Sequence, residues 1–117
     1  MIHPFLVIRG VRPLERRRVV ITGMGVIAPN GIGVDNFWDS LAHGRSGVRR
    51  ITHFDASHYS CQVAGEVKDF DPTNYMSPRS ARRMDKFCRF AVACSRMALD
   101  DTKIEITEKN CNRIGIV

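Results

Sequence analysis

Val19-Val20-Ile21-Thr22-Gly23-Met24-Gly25-Val26-Ile27-Ala28-Pro29-Asn30-Gly31 is the stretch on which the fold turns. A β-branched run stopped by glycine predicts a short buried strand at residues 19–22. Gly23, Gly25 and Ala28 then satisfy the G-x-G-x-x-[G/A] pattern, which in a dinucleotide-binding fold opens a helix whose amides hold pyrophosphate. Here Pro29, Asn30 and Gly31 follow at once, and no helix can run on from the glycines. The spacing instead predicts a tight strand-to-loop turn with glycine needed for close packing. A nucleotide-binding α/β protein stays as an alternative, and no cofactor is expected.

Outward from there, Val34, Phe37, Trp38, Leu41 and Ala42 recur at helical spacing, and Gly44 supplies a C-terminal stop. Gly44-Arg45-Ser46-Gly47 is too short for a phosphate-binding loop and lacks its Lys-[Ser/Thr], so it reads as a turn. Residues 51–59 are irregular, with Phe54 and Tyr59 as small anchors. Residues 61–67 alternate loosely and predict an extended segment, and Asp71-Pro72 predicts a turn. Ser77 is a reasonable N-cap, with Pro78 at the first helical position. A helix of about 20 residues is expected from there. Its seam is Ala81, Met84, Cys88, Ala91, Ser95 and Ala98, flanked by Phe87, Val92 and Leu99, and the pattern ends at Asp100-Asp101. So many small side chains imply the close approach of another backbone. Ile114-Gly115-Ile116-Val117 reads as a further strand, and a chain that stops in mid-strand makes a poor domain boundary. The string is α/β, with a parallel sheet as the natural partner.

The 117 residues are 44% apolar and 26% charged, ordinary for a globular domain, and no apolar run is long enough to span a bilayer. The net charge is +6. Residues 76–99 hold Arg79, Arg82, Arg83, Lys86, Arg89 and Arg96 against one acid, Asp85. On one continuous helix Arg79, Arg82, Arg83 and Lys86 make a basic stripe over the first two turns, where the helix dipole prefers acids. A solvated face and a docking surface for an acidic partner are both open readings. Nucleic acid is disfavoured, because no aromatic interleaving or known module accompanies the charge.

Cys61, Cys88, Cys94 and Cys111 have no metal or redox spacing and read as packing thiols in a reducing compartment. His53, His58 and Asp55 could suggest a metal cluster, but the segment reads as surface loop. No Ser-based triad can be built, and no metal is expected. Residues 1–18 place their apolar stretch before Arg16-Arg17-Arg18, the reverse of a secretory signal. The expected location is cytoplasmic; an organellar targeting remnant or a misassigned start would also fit.

At Arg17-Arg18-Val19-Val20-Ile21-Thr22-Gly23-Met24-Gly25-Val26 the chain resembles the opening of the elongating β-ketoacyl-acyl-carrier-protein synthases of fatty-acid and polyketide synthesis. Leu41-Ala42-His43-Gly44-Arg45-Ser46-Gly47, Phe54-Asp55-Ala56-Ser57, Ala64-Gly65-Glu66-Val67 and Arg82-Arg83-Met84-Asp85-Lys86-Phe87 follow in the family's order. The resemblance is nearest to the type II, broad-chain-length condensing enzyme. It implies a thiolase-like fold of two similar α/β halves in one subunit, assembled as a homodimer, with only the first part of the N-terminal half present. Residues 1–16 would be an extension of unknown role and residues 17–117 a truncated portion of the synthase domain. Members transfer an acyl chain from carrier protein to a cysteine, decarboxylate malonyl-carrier-protein, and let the carbanion attack the acyl-enzyme. Two histidines and oxyanion-hole amides assist. In the family pattern those groups fall beyond Val117, so no catalytic residue is assigned here. A non-catalytic ketosynthase-like partner subunit is the alternative within the fold. What the resemblance does carry over is docking: Arg79, Arg82 and Arg83 are similar in position to residues that receive the acidic recognition helix of acyl carrier protein. Asp85 is expected to be a structural residue of the same helix.

Overall fold

The computed structural model describes residues 18–116. Strands β1 (Ile27–Ala28) and β2 (Gly31–Ile32) form a small antiparallel hairpin around Pro29-Asn30, pairing Ile27 with Ile32 and Ala28 with Gly31. Gly33 follows at φ +84°, a conformation that suits glycine, and its carbonyl accepts from the Phe37 amide at 3.1 Å. Helix α1 (Val34–Ala42) starts there, as the apolar spacing predicts. It stops at His43, with Gly44 at φ +63° just beyond, the glycine stop read from the sequence.

Strands β3 (Val48–Arg50) and β4 (Val63–Gly65) make a second antiparallel hairpin, the latter inside the predicted extended segment. The two hairpins meet at Pro29. A side chain on Gly47 would lie 2.7 Å from the Asn30 nitrogen, and one on Gly65 would lie 2.9 Å from Pro29 Cγ. Asp71 caps a 3-10 turn at Pro72–Asn74, its carboxylate accepting from the Thr73 amide at 2.8 Å and hydroxyl at 2.7 Å. Phe70 stacks on Tyr75 and meets Phe90 edge-on at 4.9 Å, which fastens this turn to the last long helix.

The expected 20-residue helix is two helices, α2 (Pro78–Arg83) and α3 (Lys86–Thr102). Ser77 and Pro78 start α2 as predicted, with Ser77 Oγ accepting from the Ser80 amide at 3.1 Å. The break falls at Met84 (φ −110°, ψ 143°) and Asp85 (φ −69°, ψ 163°), both extended. Asp85 is therefore the N-cap residue of α3 and not a mid-helix residue. Asp readily takes that non-helical conformation. Arg89 secures the break by donating from Nε to the Met84 carbonyl at 2.9 Å. The other end of α3 runs past Asp100-Asp101 to Thr102 and closes on Lys103 in the left-handed region.

A close backbone approach exists, but on a face that shares only Ala98 with the expected seam; Ala91 and Ser95 line an open groove instead. Residues 22–25 lie along the Cys94, Ala98 and Thr102 positions of α3, which recur every four residues and so share one face. A Cβ on Gly25 would overlap the Cys94 carbonyl, and one on Gly23 the Ala98 carbonyl. Two hydrogen bonds lock the contact. The Met24 amide donates to Asp101 Oδ2 at 3.0 Å, and Thr102 Oγ1 donates to Thr22 Oγ1 at 2.9 Å.

Two strand expectations are not met. Residues 19–22 and 114–116 carry no ladder; Val19 is 91% exposed and Ile116 is 90% exposed. Val117 lies outside the described residues, as does the 1–16 extension. A strand exists only where a neighbour satisfies its amides and carbonyls, and the described residues offer these runs none. Both sheets among the described residues are antiparallel, so the parallel sheet is absent there. The 3-10 turn at Cys111–Arg113 occupies the approach to the expected last strand. Buried apolar side chains among the described residues are small: Ala56, Ala81 and Ala93, the last fully buried.

Candidate functional site

Helix α2 projects its basic residues to solvent. Arg79, Arg82 and Arg83 are all exposed, and among the described residues none has a carboxylate within ion-pair distance. Ala81, on the opposite side, is buried and seats the helix. Because α2 is only six residues long, Arg82 and Arg83 occupy its last turn, not the start of a long helix. The dipole there favours cations. The argument that charge crowds an unfavourable helix start therefore lapses for these two residues, and the case for docking rests on their exposure and lack of partners.

The other basic residues of the 76–99 stretch, and Arg45, have contacts, whereas Arg49 and Arg50 on β3 are exposed without a carboxylate partner among the described residues. Lys86 leaves the expected stripe at the helix break, where Nζ lies 3.3 Å from His53 Nε2 and 5.7 Å from the centre of the Phe90 ring. Arg89 turns back onto the Met84 carbonyl. Arg96 faces Asp100 at 3.8 Å. Arg45 pairs with Asp39 at 2.7 Å, close to His43.

The other sequence candidates separate from one another. The glycines of the G-x-G-x-x-[G/A] pattern press on α3, and Pro29-Asn30 turn the chain into β2, so no helix follows them to hold a pyrophosphate. Asp55 accepts from the Ser57 amide at 3.0 Å, which lowers its carboxyl below the usual range, while His53 points to Lys86. No group of three metal-binding side chains occurs among the described residues. Burial pushes the Cys94 thiol up, the wrong direction for a nucleophile. Cys61 and Cys111 donate to the carbonyls of Val63 and Glu108, and all four cysteines are unpaired as disulfides.

One hub has no counterpart in the sequence reading. Glu66 accepts from the Thr52 hydroxyl at 2.6 Å, the Thr52 amide at 3.0 Å and the His53 amide at 3.1 Å. The Thr52 hydroxyl and amide are the main causes that hold its carboxyl down at about 2. The Glu66 carboxylate thus orients the 52–53 backbone, and through the neighbouring His53 ring it adjoins Lys86 at the start of α3.

The arrangement is a mixed α/β layer with a basic face, and its backbone superposes on a condensing-enzyme fold. The solved structure of the ishigamide ketosynthase/chain length factor matches with a TM-score of 0.70 and 42% identity, covering 81% of this chain and 23% of that one. The model of the β-ketoacyl synthase N-terminal domain matches residues 16–117. The chain belongs to the β-ketoacyl synthase family, as part of its N-terminal domain. It is 47% identical to a 3-oxoacyl-[acyl-carrier-protein] synthase 2 of Synechocystis over 104 residues, or 89% of this chain and 25% of that protein. Identity to the Vibrio harveyi protein of the same name is 48%, over 88% of this chain and 25% of that one. Identity to the granaticin polyketide putative beta-ketoacyl synthase 1 of Streptomyces violaceoruber is 50%, over 86% and 24%. The chain thus spans about a quarter of the length of the curated relatives it matches. No helix among the described residues is long and apolar enough to cross a membrane.

Proposed function

We propose that this chain is the opening layer of a 3-oxoacyl-[acyl-carrier-protein] synthase and that α2 is where carrier protein docks. The enzyme would join an acyl group, held as a thioester on its own cysteine, to the carbanion left when malonyl-carrier-protein loses carbon dioxide. A thiolate nucleophile divides that condensation into two easier steps. The cysteine, the paired histidines and the second α/β half of the subunit would come from the part of the synthase that this chain does not span. The work of the present residues is delivery: bringing the carrier's prosthetic arm to the site.

The observation that carries the docking reading is the trio Arg79, Arg82 and Arg83, exposed and without carboxylate partners among the described residues. A planar guanidinium can donate two parallel hydrogen bonds to one carboxylate. Reversing all three to glutamate in the full-length synthase should weaken acyl-carrier-protein binding by at least about tenfold, read by calorimetry at low salt. Unchanged affinity would sink the reading.

A non-catalytic partner subunit has one observation in its favour, since the solved relative's title joins a ketosynthase to a chain length factor. Mass spectrometry of the full-length protein after incubation with acyl-carrier-protein separates the two. A covalent acyl adduct supports the enzyme, and none under conditions that acylate a Vibrio homologue supports the partner.

A further inference from the structure

We infer that Arg89 is a fourth anion-binding residue of this face, and that a side-chain carboxylate of the acidic carrier seats between Arg89 and Arg82. The inference rests on the docking reading above and adds a specific pocket to it. A cleft of about 260 Å³ opens between the 3-10 turn and the two helices, lined by Pro72, Thr73, Pro78, Ala81, Arg82 and Arg89. Its two charged lining residues are both arginines.

Arg89 differs from the exposed trio because it is half-buried and held. Its Nε donates to the Met84 carbonyl at 2.9 Å, which fixes the guanidinium plane at the α2–α3 break. Among the described residues no acceptor contacts its terminal nitrogens. One of five N–H donors is used, and the rest of the fork is free. Asp71, next to the lining residue Pro72, spends its carboxylate on the Thr73 amide and hydroxyl, and those bonds lower its pKa. Two like charges lining one cleft repel each other, and a carboxylate placed between them removes that penalty while meeting a fork already oriented. Pre-orientation lowers the entropy lost on binding. The occupant is a protein carboxylate and not a nucleic-acid phosphate, because the rim offers no aromatic face for base stacking.

The test uses the full-length synthase and acyl-carrier-protein, by calorimetry across a salt series. Arg89→Gln retains an amide that can still donate to Met84 but removes the charge. It should raise Kd about tenfold at low salt, as loss of one charged hydrogen-bonded pair does, and should flatten the salt dependence. Arg89→Lys should recover only part. Thr73→Glu, which places a competing carboxylate on the rim without touching Arg89, should also weaken binding. Parental affinity and salt dependence in R89Q and T73E would overturn the inference, even if reversal of Arg79, Arg82 and Arg83 abolishes binding. If that reversal has no effect, the docking reading itself falls and this one with it.

Discussion

Gly23 and Gly25 are side-chain-free because α3 leaves no room for a carbon. A Cβ at Gly25 overlaps the Cys94 carbonyl, and backbone cannot rotate aside as a flexible side chain does. Gly25→Ala in the full-length synthase should therefore cost about 3 kcal/mol or more, at the upper end of overpacking effects, read from the shift in urea midpoint. Glu66 invites a pH experiment at the same scale. Its folded pKa is lowered from 4.5 to about 2, so the contribution of its hydrogen bonds is fully present above 4.5 and is lost as pH falls through about 2. Amide exchange at Thr52 and His53, corrected for intrinsic rates, should stay constant from pH 7 to 4.5 and rise below it. Glu66→Gln should remove that pH dependence while weakening protection throughout. A carboxyl titrating near 4.5 in the folded protein would contradict the geometry.

At the scale of elements, the division between α2 and α3 decides what the basic residues can do. Had the helix been continuous, Arg79, Arg82, Arg83 and Lys86 would have formed one stripe. The turn at Met84-Asp85 separates Lys86 toward His53 and leaves three arginines on a short, presented helix. So short a helix depends on its cap and on Ala81 beneath it, since isolated turns are costly to nucleate. Ser77→Ala removes the acceptor for the Ser80 amide and should cost about 1 kcal/mol. Ser77→Asp should restore most of it. Because the cap holds the arginines in place, S77A should also weaken carrier-protein binding, whereas a change at exposed Lys109, remote in sequence from α2, should not.

For the whole molecule, the distribution of apolar surface is the main result. Val19, Ile21, Trp38, Phe87 and Ile116 are exposed, while the buried apolar positions among the described residues are alanines. Burial of apolar area is the dominant favourable term in folding, and the described residues keep much of theirs in water. Expressed alone, they should unfold over a broad urea range with a low m-value, bind a hydrophobic dye and show no condensing activity. A sharp two-state transition would show that the layer is self-sufficient.

The amino-acid order by itself determined the local signals: Ser77-Pro78 opening a helix, Gly44 closing one, Pro29-Asn30-Gly31 forbidding a helix after the glycines. These depend on neighbours a few residues away, where backbone sterics and capping act. Family membership was legible for a related reason, since five short motifs kept their order and spacing between residues 17 and 87. Tertiary structure alone decided the rest. Strand status at residues 19–22 and 114–116 depends on a partner ladder, which a β-branched run cannot supply to itself. The break at Met84-Asp85 is held by Arg89 reaching the Met84 carbonyl, and further along α3 Cys94 and Ala98 press on Gly25 and Gly23. Glu66 became a hub only when β4 brought it beside Thr52, 14 residues away. The opening stretch is thus a strand candidate by composition and a helix-packing segment by contact, because β-branching is local and the room for a Cβ is not.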